Sequence, residues 1–243
     1  TTLPGPCTFL NDTGPQPAYI KTGNLLSRVL TDEHAADVAG LAPMVAAGVD
    51  RLQGELRGQG SEGLVGEKAH TATDLAGLGV MALPHLRNLA AGGPSKGLGK
   101  YLYPAAVVGG LGALAVPTAD VLQAKMRSAP GEDEGKKQLL SHRTHDLMET
   151  AGYGLFGGLS VADAIKNRSA LDAAHAAGYG LLAAPHVEGL IKKHDEPKVF
   201  SGATRAATDL LGTGTLLGAG LAHMGHSPHG PATSAGRLML PGG

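Results

Sequence analysis

Histidine is the residue type whose spacing in this chain comes nearest to a chemical site. His223, His226 and His229 follow one another at three-residue steps in the segment HMGHSPH, and His142 and His145 share that spacing. Imidazoles placed in this way can bind a transition metal. No cysteine, aspartate or glutamate falls within the tail segment, and its Gly and Pro residues favour a flexible chain. We therefore expect no metal site and no cofactor.

Two further histidines, His85 and His186, directly follow Pro84 and Pro185. Histidine can act as a ligand or as a pH switch. A proline near the end of an apolar run can also end or bend a helix, and a histidine there suits the negative end of the helix dipole. We interpret both histidines as polar caps at helix C-termini.

A catalytic interpretation has less support. Glu188 with His194 and Asp195 offers acid–base groups, yet no nucleophile elbow, phosphate loop, HExxH motif or paired-carboxylate signature accompanies them. The GLG and GYG triplets follow no predicted strand, so a dinucleotide fingerprint is excluded. The 20 basic and 21 acidic residues give a net charge of -1, without the basic excess typical of nucleic-acid binding. We expect no enzyme activity, no small-molecule substrate and no direct nucleic-acid contact.

The elements that position these residues come from an internal repeat. The decamer AGLGVMALPH at 76–85 returns as AGYGLLAAPH at 177–186, and looser Gly-punctuated copies occur elsewhere. Such a unit fits one helix with its connector, and the uneven spacing favours a bundle over a regular solenoid. The sequence predicts an all-α fold, an irregular bundle or array of about six or seven Gly/Ala-rich helices. The central glycines of the copies are Gly40, Gly77, Gly112, Gly152, Gly178 and Gly212.

Glycine within these helices requires a physical reason. The chain has 38 Gly, 3% aromatic residues and no Trp, so its core must be built from small side chains and close backbones. A glycine inside a helix costs up to about 1 kcal/mol relative to alanine, and close contact between helices is the expected compensation. Pairs four residues apart favour such contact. The predicted helix-packing glycines are Gly77, Gly79, Gly112, Gly152, Gly154, Gly158, Gly178, Gly180, Gly212, Gly214 and Gly218.

Composition divides the chain into five segments. Residues 1–23 are rich in Pro, Gly and Thr and predict an extended N-terminal arm. A first helical half, 24–127, is followed by a charged linker, 128–138, and by a second helical half, 139–225. The last segment, 226–243, predicts an extended tail. Extended arms of this kind are expected to clasp neighbouring subunits.

The chain contains three long uncharged runs. They cover 102–116, 173–187 and 210–225. Each is shorter than the roughly 20 consecutive apolar residues of a membrane-spanning helix. We interpret them first as buried core helices, and a membrane contact stays open as an alternative.

The pattern of residues in and before the repeat resembles that of a known group of proteins. His70 with Asp74 precedes the copy at 76–84, the second copy covers 177–185, and HAAD at 34–37 is a weaker relative of the same pattern. This pattern resembles that of Gly/Ala-rich helical structural proteins of tailed bacteriophages. The resemblance implies a non-enzymatic virion component whose partners are itself and other virion proteins.

Two alternatives accompany that expectation. One is a membrane-active ejection or pore-forming protein, located in the bacterial envelope during infection, whose glycine faces let helices associate in lipid. The other is a soluble enzyme or binding domain, a class that usually carries at least one compact motif.

Overall fold

The computed structural model describes residues 29, 32–60, 63–92, 103–129, 134–192 and 196–226, and these residues form an all-α protein. The predicted fold class is confirmed, since the described residues form six long helices and no strand. The N-terminal arm and all of the tail except His226 lie outside the described residues. The helices are α1 Glu33–Leu56, α2 Glu67–Ala90, α3 Gly110–Arg127, α4 His142–Asn167, α5 Ala170–Ile191 and α6 Gly202–His226.

Local capping chemistry sets several of these boundaries. Asp32 accepts hydrogen bonds from the first amides of α1, Ser141 accepts one at the start of α4, and Ser169 accepts one at the start of α5. Between α4 and α5, Arg168 takes a left-handed conformation with φ 51°, which lets the chain reverse within a few residues. A short π-helical turn, Ala105–Gly109, leads directly into α3.

The six helices form a closed ring of antiparallel neighbours. Each helix packs against the next one along the chain, and α6 packs back against α1. The antiparallel direction of this closing contact is visible where Gly48 approaches Leu210 and Gly220 approaches Val38. The ring therefore consists of three helical hairpins, α1–α2, α3–α4 and α5–α6. The charged segment 128–138 contributes the connection inside the second hairpin.

Each hairpin is held together where two glycines let the backbones cross. A Cβ atom added at Gly40 would lie 2.6 Å from the carbonyl oxygen of Gly77, and one at Gly77 would lie 2.7 Å from the carbonyl oxygen of Gly40. Gly178 and Gly212 repeat this reciprocal contact at 3.1 Å. In the second hairpin, a Cβ at Gly152 would lie 3.0 Å from the Gly110 carbonyl oxygen. Main chain thus approaches main chain at the centre of every hairpin.

A large apolar side chain follows each crossing glycine by four residues and covers the glycine of the partner helix. Residues four apart share a helix face, so the glycine and the side chain point at the same neighbour. Leu182, for example, lies over Gly212, while Leu216 lies over Gly178. Leu41, Leu182 and Leu216 form the centre of the buried core. The complete set of glycine and covering residue is Gly40 and Met44, Gly77 and Met81, Gly110 and Leu114, Gly152 and Phe156, Gly178 and Leu182, and Gly212 and Leu216.

The prolines do not end helices. Pro84, Pro117 and Pro185 lie inside α2, α3 and α5 and are buried there. Their positions repeat, because each stands seven residues after a crossing glycine of its own helix. Burial against the neighbouring helices outweighs the local preference of proline for a helix end.

Candidate functional site

The axis of the ring contains a polar cavity of about 160 Å³. Residues of all six helices line it, and Thr118 and Tyr153 contribute hydroxyl groups. Unlike the apolar layer around Leu216, this layer carries ionisable side chains inside the bundle. We call the charged residues that line it the axial cluster, and its members are Arg51, Asp74, Glu149, His186, Arg205 and Asp209.

Each carboxylate of the axial cluster faces a base. Arg51 donates from Nη2 to Asp74 Oδ2 at 2.6 Å. His186 Nδ1 lies 2.6 Å from Glu149 Oε2. Arg205 Nε and Asp209 Oδ2 lie 4.0 Å apart on the same helix. His186 is buried, Arg205 is exposed and the other members are partly buried. Pairing of opposite charges therefore adds to partial contact with water in limiting the cost of placing these groups at the axis.

The three carboxylates occupy equivalent positions in the three hairpins. Asp74, Glu149 and Asp209 each stand three residues before the crossing glycine of the second helix of their hairpin. Residues three apart lie on neighbouring positions of one helix face, so the geometry that brings the glycine to the crossing also turns the carboxylate towards the axis. The internal repeat therefore explains why the cluster exists.

The cavity changes the ionisation of its members. Burial lowers the pKa of His186, but hydrogen bonds to Asp146 and Glu149 outweigh burial and raise that pKa to about 9. His186 is therefore a protonated cation at neutral pH. Burial raises the pKa of Asp209, and the nearby Arg205, His186 and Arg51 partly offset this effect. The raised pKa of His186 matches an ion pair with its carboxylates, whereas the raised pKa of Asp209 means that burial outweighs the neighbouring cations there.

A second repeated feature lies at the hairpin connections. Asp50 in α1 accepts hydrogen bonds from the amides of Leu64 (2.9 Å) and Val65 (3.0 Å), and its Oδ2 lies 2.9 Å from His70 Nε2. These amides lower the pKa of Asp50, and His70 adds to the effect. The carboxylate thus fixes the path of the connection from α1 to α2.

Asp120 repeats this arrangement in the second hairpin. It accepts from the amides of Leu139 and Leu140 and lies 3.0 Å from His145 Nε2. Burial raises the pKa of Asp120, but the two amides and His145 outweigh burial, so the pKa is lowered. His142, which shares the spacing of His145, is exposed at the start of α4. Both histidines line one pocket, in which His145 already bonds the Asp120 carboxylate.

Glu188 holds the third connection. It accepts from the amides of Val199 and Phe200, both at 2.8 Å. The ammonium of Lys192, followed by the two amides, lowers the pKa of Glu188 to about 2. The carboxylate that the sequence offered for acid–base chemistry therefore anchors a connection. His194 and Asp195, the other members of that set, lie outside the described residues.

The interpretation of His85 and His186 as C-terminal caps is wrong for His186. Its ring lies inside α5 and contacts carboxylates of α4 because Asp146 and Glu149 face it across the helix pair. His85 lies inside α2, and its Nδ1 is 3.1 Å from the hydroxyl of Tyr103.

The eleven predicted helix-packing glycines divide into two groups. Gly77, Gly152, Gly178 and Gly212 lie at the crossings. At the other seven, an added Cβ would meet nothing within 4 Å. Two residues correspond to about 200° of helix rotation, so a glycine two positions from a crossing points to the opposite face. The seven are Gly79, Gly112, Gly154, Gly158, Gly180, Gly214 and Gly218.

Several of those seven glycines belong to an uncharged outer surface. On the described helices, the exposed side chains of Asp, Glu, Lys and Arg lie within five residues of a helix end. Between the ends, the exposed residues of the helices are uncharged, and many are Ala or Gly. We call the part of this surface on α4 and α5 the outer belt. Its residues are Leu147, Ala151, Gly154, Gly158, Val161, Ala173, Ala177, Gly180 and Val187.

Membrane-crossing potential differs among the described helices. The span Ala105–Arg127 is long and apolar enough to cross a membrane by length and composition, and 33% of its most apolar window is buried in the bundle. It is the one helix among the described residues that meets both conditions.

The comparison of this chain with known proteins found no relative. No known protein family, characterised sequence or solved structure matches this chain.

Proposed function

We propose that this protein is a non-enzymatic structural subunit that associates with copies of itself and with other proteins of a bacteriophage particle. The observation that carries this proposal is the distribution of polarity. Ionisable groups occupy the axis and the helix ends, whereas the sides of the ring are uncharged. A soluble monomer normally places its charged residues on such exposed helix faces.

The residue types on the outer belt favour protein as the occupant. Ala151, Gly154 and Gly158 on α4 are exposed small residues. Ala173 and Ala177 on the adjacent helix α5 are exposed as well. Small residues let the backbone of a second helix approach closely, as the crossings inside each hairpin already illustrate. Hydrocarbon gains little from such small side chains. The small residues of the belt therefore fit a neighbouring subunit better than lipid, and Leu147, Val161 and Val187 add exposed apolar area around them.

The axial cluster supports a structural role. Its carboxylates face Arg51, His186 and Arg205, so its charges act on one another. A partly buried ionic network of this kind favours one pairing of helix faces, because a shifted register leaves a charge without its partner. A subunit that must present the same outer surface in every copy needs such a fixed arrangement.

The assignment to a virus particle rests on the sequence. The Gly-punctuated repeat resembles structural proteins of tailed bacteriophages, and such proteins work in many copies. The N-terminal arm at 1–23 supports the same proposal, since extended arms commonly clasp neighbouring subunits.

Light scattering on the detergent-free protein tests the proposal. We expect discrete high-order oligomers that Gly158→Glu converts to smaller species, because a charge then lies in the middle of the outer belt. The matched control is Ala170→Glu, which adds the same charge at the exposed start of α5. Circular dichroism checks that both variants keep the helical fold. A monomeric wild type, or equal effects of the two variants, would contradict the proposal.

A second candidate, a membrane-active ejection protein of the bacterial envelope, is favoured by the apolar span Ala105–Arg127. Flotation with liposomes separates the two candidates. Protein that floats with vesicles and stays monomeric in detergent supports the membrane-active candidate. Oligomers that do not float with vesicles support the structural subunit.

A further inference from the structure

A cluster of imidazoles lies at the end of the ring opposite the hairpin connections. His34 near the start of α1, His175 near the start of α5 and His223 near the end of α6 come together there with Asp172. The rings of His34 and His223 stack with centroids 4.3 Å apart. The ring of His175 lies 5.4 Å from that of His223. Three helices that are distant in sequence therefore contribute to one polar group.

The geometry points to a divalent transition-metal site formed by Asp172, His175 and His223, and we propose that it binds Zn²⁺. One ligand atom from each of the three residues lies within 4.8 Å of the other two. Asp172 Oδ1 and His223 Nε2 are 3.4 Å apart. Two ligands of a tetrahedral zinc ion, each about 2.0–2.1 Å from the metal, are separated by about 3.3–3.4 Å. The distance between Asp172 Oδ1 and His223 Nε2 thus already equals the ligand–ligand distance of a tetrahedral zinc site.

The surroundings orient these ligands. His175 is buried, and its Nδ1 lies 3.2 Å from the carbonyl oxygen of Leu171, so Nδ1–H donates there and Nε2 keeps its lone pair for a metal. The other carboxylate oxygen of Asp172 accepts from Asn167 Nδ2 at 3.4 Å. Partners of this kind are what metal-binding histidines and carboxylates commonly have around them.

His34 borders the site without belonging to its ligand set. Its ring stacks parallel to that of His223, and its Nδ1 is buried without a hydrogen-bond partner among the described residues. The atoms that lie within 4.8 Å of one another belong to Asp172, His175 and His223 alone. Two imidazoles and one carboxylate are nitrogen and oxygen ligands that zinc accepts, and they leave the fourth position for a further ligand.

Existing bonds separate this cluster from the other group of acids and histidine in the ring. The closest acid–imidazole pair of the His175 cluster, Asp172 Oδ1 with His223 Nε2, is 3.4 Å apart, and the ring of His175 bonds a backbone carbonyl rather than a carboxylate. His186, beside Asp146 and Glu149, is protonated at neutral pH and already bonded to both carboxylates. The group around His186 is therefore an ion-pair network, and the His175 cluster is the metal candidate.

This site was not expected from the sequence, which placed the histidines at 223, 226 and 229 together. The structure instead turns His223 into the ring, towards residues nearly fifty positions earlier in the chain. Asp172 and His175 stand three residues apart on α5, a spacing that places two ligands on one helix face. The proposal does not depend on the proposed function.

Calorimetric titration of the untagged, chelator-treated full chain with Zn²⁺ tests the site. We expect one ion per chain, a higher thermal midpoint with Zn²⁺ and, with Co²⁺, the visible absorption of a tetrahedral complex. His175→Gln and Asp172→Asn should each weaken Zn²⁺ binding at least tenfold. Circular dichroism of the metal-free variants controls for folding, and His223→Gln provides an independent ligand variant.

The matched control is the double variant His226→Gln with His229→Gln, which removes the tail imidazoles and leaves the cluster intact. It should bind Zn²⁺ as the wild type does. If the tail variant loses the ion while His175→Gln retains it, the metal belongs to the tail and the proposal is wrong. Absence of Zn²⁺ binding to the wild type would overturn the proposal as well.

Discussion

Two alanine substitutions two residues apart in α2 test the central packing claim. Gly77 lies at the crossing of the first hairpin, whereas Gly79 faces outward. Both changes gain the same helix propensity, about 1 kcal/mol. The difference between the two variants therefore isolates the steric cost of a methyl group at the crossing.

The size of that cost follows from the contacts. A Cβ at Gly77 would lie 2.7 Å from both the Gly40 carbonyl oxygen and Met44 Sδ, whereas ordinary contacts begin at 3.4 Å. The backbones must therefore separate by about 0.7 Å along that line, and overpacking of this kind costs about 1–3 kcal/mol. At Gly79 an added Cβ meets nothing within 4 Å. We expect Gly79→Ala to be more stable than Gly77→Ala by about 1–3 kcal/mol.

Thermal unfolding followed by circular dichroism measures this difference. For a chain of this size, 1 kcal/mol corresponds to roughly 2–4 °C, so the two midpoints should differ by roughly 2–12 °C. Gly212→Ala and Gly214→Ala repeat the comparison in α6. A Cβ at Gly212 would lie 2.7 Å from Leu182 Cγ and 3.1 Å from the Gly178 carbonyl oxygen. Because a leucine side chain can shift more readily than a backbone oxygen, we expect a smaller difference between the midpoints of this pair. Equal midpoints within both pairs would refute the close-crossing argument.

Three further perturbations test the ionic network, the connections and the N-terminal arm. Relative to His186→Gln, the wild type should lose stability as pH rises from 6.5 through about 9. The folded-state pKa of His186 is raised, so its ion pairs contribute fully to stability below the unfolded value of 6.5, and this contribution is lost as pH rises through the folded value. Urea titrations of both proteins across that range check this, and parallel curves would count against the ion pairs. Asp120→Asn should cost about 1.5–3 kcal/mol at neutral pH by weakening bonds to two amides and His145. The pKa of Asp120 is lowered from 3.8. The difference in unfolding free energy between the wild type and Asp120→Asn should therefore disappear as pH falls below that value. Deletion of 1–23 should abolish high-order assembly with helicity unchanged, measured by light scattering and circular dichroism; intact assembly would exclude a clasping arm.

The helices were predictable from the sequence because the Gly-punctuated unit recurs. Which glycines face a neighbour was not predictable from glycine spacing alone, since Gly-x-Gly places one residue inside and one outside. A better signal was present in Gly152 and Gly212, which combine a carboxylate three residues before with a large apolar residue four residues after. Gly154 and Gly158 lack both features, and they lie on the outer belt.

The buried acid–histidine pairs escaped prediction for a related reason. Their partners lie 20 to 25 residues apart, across a hairpin connection. An alignment on the crossing glycines would have revealed them, because Asp50, Asp120 and Glu188 each follow such a glycine by ten residues. The sequence repeat was instead centred on Gly112, two residues after the true crossing at Gly110, and this offset hid the correspondence.

The three hairpins share a scaffold but not the same polar partners, and this difference bears on function. His70 and His145 stand seven residues before a crossing glycine, and Arg205 holds the same position in the third hairpin. The histidines bond the connection carboxylates, while Arg205 lies within reach of the axial Asp209. The axial carboxylates Asp74, Glu149 and Asp209 repeat, whereas the bases that face them, Arg51, His186 and Arg205, come from non-equivalent positions of the hairpins. Charge compensation on the axis is therefore specific to each hairpin, while the crossings that hold the hairpins together are common to all three.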